Sequence, residues 1–385
     1  MRLVSSPPTR RAFLQATAAA AVATWIGRTA NAGAAPPLGT VPFTDEGAFP
    51  VDETVGAGLG RRRALDLSTL TPDALAVPQD RFFIRTGCPD PLPSTSEWKI
   101  RVRGLVEGPA ELEVAALQRE ADDRGAHLLE CAGNSRAAHF GFLSVARWTG
   151  VPLERVLGRL RFPPRATRVR VSGFDQHSVL DPGSVPGASW VFGLDQIRDA
   201  GAFLATGMNG GPLSPDHGHP VRLVVPGWYG CTAIKWVDEI ALVDAGARAT
   251  DQMLEYAVRT HQDLAHPTLL ARDFQPASID PAAAAVRVEM FGADGGKVSY
   301  RIVGLAWGGR TPPRALGIRF RPDAPFAPVE QVGSGEAGAW TFWTHTFRPH
   351  APGRYRIELA VRDPGVRTRR LDRGYYAREV EIARV

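Results

Sequence analysis

From Phe82 to about residue 270, short apolar runs, many of them alternating with polar residues, are separated by clusters of Gly, Pro, Asp and Ser. Trp98–Val102, His127–Cys131, Arg168–Ser172 and Val221–Val225 read as strands, since β-branched and apolar residues in such runs suit a pleated, buried or half-buried surface. Apolar residues at helical spacing are confined to Leu112–Ala121 and Leu153–Leu160. After Pro267 the helical patches stop. Ala285–Phe291, Val298–Val303, Ala315–Phe320, Trp340–Phe347, Arg354–Val361 and Arg378–Ala383 follow as strands punctuated by turns. The pattern predicts an α+β fold, with a mixed α+β domain over 76–270 and an all-β, immunoglobulin-like sandwich over 271–385. Residues 33–75, rich in Pro, Gly and charge, read as an irregular arm.

The first 32 residues follow a different logic. Arg10-Arg11-Ala12-Phe13-Leu14 precedes an Ala-rich apolar stretch from Ala16 to Ile26, and Ala30-Asn31-Ala32 offers small residues for a peptidase. A basic region, a short apolar region and an A-x-A site in that order make a signal peptide, and the paired arginines make it a twin-arginine one. Such signals export folded proteins, which raises the expectation of a cofactor inserted before export to the periplasm. The apolar run is too short for a stable span, so no membrane span is expected in the mature chain.

Charge changes the picture only after this segment is set aside. The formal net charge is +5. Residues 1–32 hold Arg2, Arg10, Arg11 and Arg28 and no acid, which leaves a body of +1. A near-neutral body carries no argument for nucleic acid.

Three cysteines occur, Cys88, Cys131 and Cys231, without CxxC spacing or a neighbouring His cluster. That excludes attached haem and the usual zinc patterns. An odd count leaves at least one thiol unbridged within the chain, and the state of Cys88 and Cys231 stays open. Cys131 is the informative one. It ends the apolar run His127–Cys131 and opens Ala132-Gly133-Asn134-Ser135-Arg136, where the backbone must turn. A thiolate there suits a soft or high-valent metal, although buried structural cysteines are common. In a second segment, Asp216 to Gly227, His217 and Arg222 flank an apolar strand, and Lys235-Trp236 follows. Arg and Lys near turning backbone make a phosphate pocket.

Together these segments resemble the sulfite oxidase family of molybdenum enzymes. Its cysteine motif, Cys-Ala-Gly-Asn followed by Arg, stands here as Cys131-Ala132-Gly133-Asn134-Ser135-Arg136. Its signature Asp-His-Gly-x-Pro-x-Arg-x-x-Val-Pro-Gly runs from Asp216 to Gly227, with Lys235-Trp236 beyond. Gly304-Leu305-Ala306-Trp307-Gly308-Gly309 is similar to the opening of the family's dimerisation domain. The resemblance implies that 76–270 is a molybdopterin-binding catalytic domain, that the cofactor is molybdenum-molybdopterin, and that Cys131 ligates the metal. It implies that Asp175, His217, Arg222, Ala233, Ile234 and Lys235 hold the pterin and its phosphate, together with the segment Phe83-Ile84-Arg85-Thr86. Arg85 and Arg136 are then expected to draw in an oxyanion, and Tyr256, 21 residues after Lys235, to face the reacting centre.

One departure bears on the substrate: Thr86-Gly87 follow Arg85 where the family usually has Asn-His. Three readings remain open. The first is oxidation of sulfite to sulfate with water as oxygen donor. It would pass electrons to a separate periplasmic cytochrome c, because no haem segment is present. The second keeps the cofactor and changes the substrate to a sulfane intermediate or an S-oxide. The third is a cofactor-less binding protein of the same fold. A homodimer is expected by analogy alone.

Overall fold

The computed structural model describes residues 36–385 apart from 74, 89–90, 109, 176–187, 263–268, 293–296, 310–311, 334 and 367. The expected export signal at 1–32 lies outside the described residues. The following arm is less irregular than its composition implies. β1 (Gly39–Val41) pairs with Val288–Met290, and β2 (Arg62–Arg63) pairs with β3 (Ile84–Arg85). Two or three residues carry no readable period, so such strands exist only because another edge supplies their hydrogen bonds.

Alternation is clearest in β4 (Lys99–Gly104), where Ile100 and Val102 are buried while Lys99, Arg101 and Arg103 face solvent. β4 pairs with β5 (Ala110–Glu113), which runs directly into α1 (Val114–Glu120). The expected helix at Leu112–Ala121 therefore begins as strand. β6 (Asp122–Glu130) and β7 (Leu143–Pro152) form a long antiparallel pair. α2 (Leu153–Leu157), shorter than expected, leads to β8 (Arg168–Gly173), β9 (Ser189–Gly193) and α3 (Leu194–Ala200). β10 (Phe203–Met208) lies against β7, with β11 (Gly211–Pro212) and β12 (Arg222–Val224) both paired to it. β13 (Val237–Val243) then inserts parallel to β4 and antiparallel to β8. Two five-stranded sheets result, ordered β5-β4-β13-β8-β9 and β11-β10-β7-β6 with β12 added at β10.

α4 (Asp251–Tyr256) closes this half. Its start is specified locally. Thr250 Oγ1 accepts from the Met253 amide at 3.3 Å and donates to the Ser189 carbonyl at 2.6 Å, and Asp251 sits in the first turn.

β14 (Ala282–Gly292), β15 (Val298–Trp307), β16 (Leu316–Arg319), β17 (Ala327–Pro328), β18 (Gln331–Val332), β19 (Thr341–Phe347), β20 (Gly353–Val361) and β21 (Arg378–Ile382) complete the chain. They form two antiparallel sheets, β1-β14-β15-β19-β18 and β17-β16-β20-β21. Their inward residues, among them Ile302, Leu305, Ile318 and Ile357, share one core. That core continues into Leu128, Val145 and Trp148 of β6 and β7, so these strands and the C-terminal sheets bury one another. A second core lies around β4, β8, β9 and β13. No helix among the described residues is long and apolar enough to cross a membrane.

Gly304 in β15 shows how tightly the C-terminal core is closed. A Cβ there would lie 2.1 Å from the Trp343 ring and 2.4 Å from the Ala284 carbonyl. Gly304→Ala is expected to destabilise the chain by about 1–3 kcal/mol through overpacking. Thermal denaturation read by circular dichroism checks this, and an unchanged midpoint would contradict the closeness of that packing.

Candidate active site

The turn after β6 is closed by its own backbone. The Asn134 amide donates to the Cys131 carbonyl at 2.8 Å, and the Gly133 amide to Cys131 Sγ at 3.4 Å. Asn134 Oδ1 in turn accepts from the Phe142 amide, pinning the turn to the start of β7. Cys131 is buried at the wall of a cavity of about 290 Å3. None of the three cysteines is disulfide-bonded. Burial raises the Cys131 pKa, opposed by the Gly133 amide and by the charges of Arg85 and Arg259. As it stands Cys131 is a thiol, and coordination to a metal ion deprotonates a thiol outright.

Three bases also line the cavity, His217 and Arg222 buried and Lys235 half-buried. The Pro215–His217 turn ends at Gly218, whose φ of +98° disfavours any side chain and where a Cβ would crowd Arg222 and Lys235 at 3.0–3.3 Å. This glycine is what lets His217, Arg222 and Lys235 converge. Arg222 donates to the carbonyls of His217 and Ala233 at 3.1 Å each. Its Nε is buried without a hydrogen-bond partner among the described residues. Lys235 Nζ donates to Thr86 Oγ1 at 2.5 Å. His217 Nε2 lies 3.0 Å from the Gln79 carbonyl and so carries the proton of the neutral ring.

Burial depresses all three pKa values. Lys235 falls to about 7 through burial and then Arg222. Arg222 falls to about 10 through burial. His217 falls to about 3 through burial and then Lys235. Asp175, also lining the cavity, is raised by burial to about 7 against the pull of Lys235. Two basic groups, Arg222 and Lys235, drawn out of water beside a neutral His217 fit a phosphate, which would supply both charge and acceptors.

The expected residues divide clearly. Phe83, Arg85, Thr86, Asp175, His217, Arg222, Ala233, Ile234, Lys235, Tyr256 and Cys131 all line the one cavity. Ile84 does not. It is buried in the protein, because strand alternation turns it away from the face that carries Phe83 and Arg85. Arg136 does not line it either. Its guanidinium pairs with Asp45 at 3.0 Å and donates to the Ala377 carbonyl at 2.9 Å, so the N-terminal arm and the C-terminal region hold it. Tyr256 has its pKa raised by burial and then by Cys131. Its ring lies 5.6 Å from the Arg259 guanidinium carbon.

The wall also contains Arg62, Cys231, Gln252 and Glu255, which no motif marked. Arg62 arrives by pairing opposite Arg85. Gln252 and Glu255 arrive on α4, one turn apart and on the same face as Tyr256. Among the described residues, no group of three or more His, Cys, Asp or Glu is placed to hold a metal ion. A single thiol such as Cys131 would suit a metal whose other ligands come from an organic group.

Comparison with known proteins agrees with this geometry. Residues 88–250 match the family described as the oxidoreductase molybdopterin binding domain. An inducible NADH nitrate reductase of Glycine max is 32% identical over 237 residues, covering 57% of this chain and 24% of the relative. The sulfite oxidase of Gallus gallus is 33% identical over 190 residues, covering 45% of this chain and 40% of the relative. The chain thus spans less than half the length of these curated relatives. The sulfane dehydrogenase SoxCD of Paracoccus pantotrophus shares the fold. It aligns over 87% of this chain and 85% of that chain, at 21% identity and a TM-score of 0.61. Cys131, Arg222 and Lys235 therefore sit in a domain that matches the molybdopterin-binding oxidoreductases and is similar to that of sulfite oxidase, and the cofactor this match implies is molybdenum-molybdopterin.

Proposed function

We propose that the protein oxidises sulfite to sulfate, with water as oxygen donor. In balance, sulfite and water give sulfate, two protons and two electrons, and the electrons leave to a separate cytochrome c. The observation that carries this reading is one cavity joining Cys131 and Tyr256 to the bases His217, Arg222 and Lys235, with Arg85 and Arg62 in its wall. When bound, the molybdenum group supplies the two-electron oxygen-transfer chemistry. Lys235 and Arg222 would hold its phosphate, and Cys131 its metal. Arg85 orients the anion by a charge-assisted hydrogen bond in a partly dry site, where such bonds are strongest.

The remaining parts of the proposal follow from the sequence. The chain is exported folded to the periplasm by the twin-arginine signal in 1–32. The sheets after residue 270 form an immunoglobulin-like sandwich through which two copies pair.

Molybdenum content of the purified protein, measured with sulfite-dependent reduction of cytochrome c or ferricyanide, tests the reaction. Stoichiometric metal with turnover is the expected result. Metal without sulfite turnover would move the substrate elsewhere. A second reading, another sulfur substrate such as a sulfane intermediate or an S-oxide, is favoured by one observation. Asp45 holds Arg136 outside the cavity wall, and Gly87 lines the cavity at the position where the family usually places an imidazole. A pocket so relieved of positive charge and of a proton donor is a weaker trap for a small dianion.

Arg85→Ala is expected to raise KM for sulfite about 10–100-fold, from loss of a charge-assisted contact of about 1.5–3 kcal/mol. Molybdenum content should not change. Steady-state kinetics on metal-normalised protein checks this, and an unaltered KM removes Arg85 from the substrate pocket.

A further inference from the structure

The Cys131 turn satisfies its own amides, but its outward acceptors are taken by side chains that arrive after residue 300. Trp307 Nε1, at the end of β15, donates to Glu130 Oε2 at 2.9 Å. The Tyr376 hydroxyl donates to Glu130 Oε1 at 3.1 Å. Arg370 Nη2 donates to the Ala132 carbonyl at 2.8 Å, and the Tyr375 hydroxyl to the Asn134 carbonyl at 2.6 Å. Within the turn itself, Asn134 Nδ2 also reaches Glu130 Oε1, at 3.3 Å. Residues 130, 132 and 134 are thus each gripped from the C-terminal region, with Cys131 between them.

The grip is directional. Glu130 and Trp307 are fully buried, Tyr376 is 2% exposed, and the Trp307 and Tyr376 rings meet edge to face with centroids 5.2 Å apart. Arg370 also donates to the Arg259 carbonyl at 2.8 Å, and its guanidinium lies over Tyr229 and Tyr375. Burying a carboxylate is costly, and apolar residues of similar volume would serve packing alone as well or better. What a carboxylate held by three donors adds is a fixed position for the residue beside it. Groups that orient a ligand in this way commonly carry 10–100-fold in metal affinity or activity.

We propose that Trp307, Arg370, Tyr375 and Tyr376, acting partly through Glu130, are positioning residues for Cys131, so that the C-terminal region completes the catalytic centre as well as packing against it. This rests on the reading of Cys131 as the metal's ligand. It goes beyond that reading by making the ligand's placement depend on side chains outside the molybdopterin-binding domain.

The test uses full-length chain in two forms: apo protein from a host unable to make the cofactor, and loaded protein. The variants Trp307→Phe, Tyr376→Phe and Tyr375→Phe each remove a donor and keep a ring. Tyr355→Phe, which loses a hydroxyl bonded to the Ala351 carbonyl, is the control for loss of a C-terminal hydrogen bond at a different place. In apo protein, the rate at which iodoacetamide alkylates Cys131 is read by peptide mass. In loaded protein, molybdenum and pterin per chain are read after dialysis, with the absorption band of the metal–sulfur bond.

The expected result is a change of about tenfold or more in Cys131 alkylation, with reduced cofactor retention and a shifted band, in the donor variants but not in Tyr355→Phe. Tyr375 is 37% exposed, so Tyr375→Phe keeps the test open if the two buried variants fail to fold. Alkylation and retention equal to wild type in Tyr375→Phe and in every buried variant that folds, or changes that merely follow the melting temperature as in the control, overturn the proposal. The apo measurement needs no metal, so its outcome stands even if Cys131→Ser shows that the thiol is not the ligand.

Discussion

Cys131→Ser is expected to leave the fold intact and to abolish turnover, by more than the 10–100-fold typical of residues that merely support a ligand. The two side chains are nearly the same size, and the turn is built from backbone bonds and Asn134, so nothing structural is lost beyond the weak Gly133–Sγ contact. A serine oxygen is a harder donor and, with an alcohol's pKa, is far more reluctant to give up its proton than a thiol. Circular dichroism, molybdenum content and turnover with a chemical electron acceptor read the three parts separately. Full activity with full metal would sink the assignment of the ligand. A wild-type melting curve with metal bound but no turnover would place the whole effect at the metal–sulfur bond.

Much of the cavity was legible because its chemistry comes in contiguous motifs. Cys131 to Asn134 and Asp216 to Lys235 carry both the reactive groups and the glycines that allow their approach, so one stretch of chain announces each wall. The one-sided strands were legible for a similar reason. β4 alternates buried and exposed residues and β20 alternates buried and half-buried ones from Tyr355 to Leu359, and their bounds fall within one or two residues of the expected runs. β7 and β10 carry no such signal. Leu143–Ala146 and all of Phe203–Met208 are buried on both faces, so no alternation marks them. Arg136 illustrates a different gap. Its position after Cys131 implied the cavity, but Asp45, supplied by the arm, sets where the guanidinium points. Arg62, Gln252 and the Glu130 clamp are likewise products of pairing between distant segments, which no local pattern records.

Lys235→Met should separate the protein's own stability from its hold on the cofactor, moving them in opposite directions. Lys235 is half-buried with its amine drawn out of water, and this desolvation together with Arg222 brings its pKa from near 10.5 down to about 7. The sign follows directly. Between about pH 7 and 10.5 the unfolded chain holds a proton on this lysine that the folded apo chain has given up. Deprotonating the unfolded lysine therefore favours the fold, and Lys235 makes apo stability rise with pH through that window. A methionine of similar length removes that slope and the cost of burying an amine, so near pH 7 the apo variant should melt no lower than wild type. Cofactor retention should fall, because the phosphate loses a charged donor in a dry pocket. Truncating such a pair costs about 2–5 kcal/mol, or roughly 30-fold to several thousand-fold in affinity. Phosphate binding also favours the protonated amine, so wild-type apo protein should bind the pterin phosphate more weakly as pH rises above 7, and the variant should show less of this dependence. Calorimetric melting of apo protein across pH and pterin fluorescence after dialysis measure the two effects. The exposed Lys297→Met should alter neither. Wild-type retention in Lys235→Met would mean that these cations do not hold the phosphate, whereas lost retention with a preserved melting curve would assign Lys235 to the cofactor and leave the fold to the cores around it.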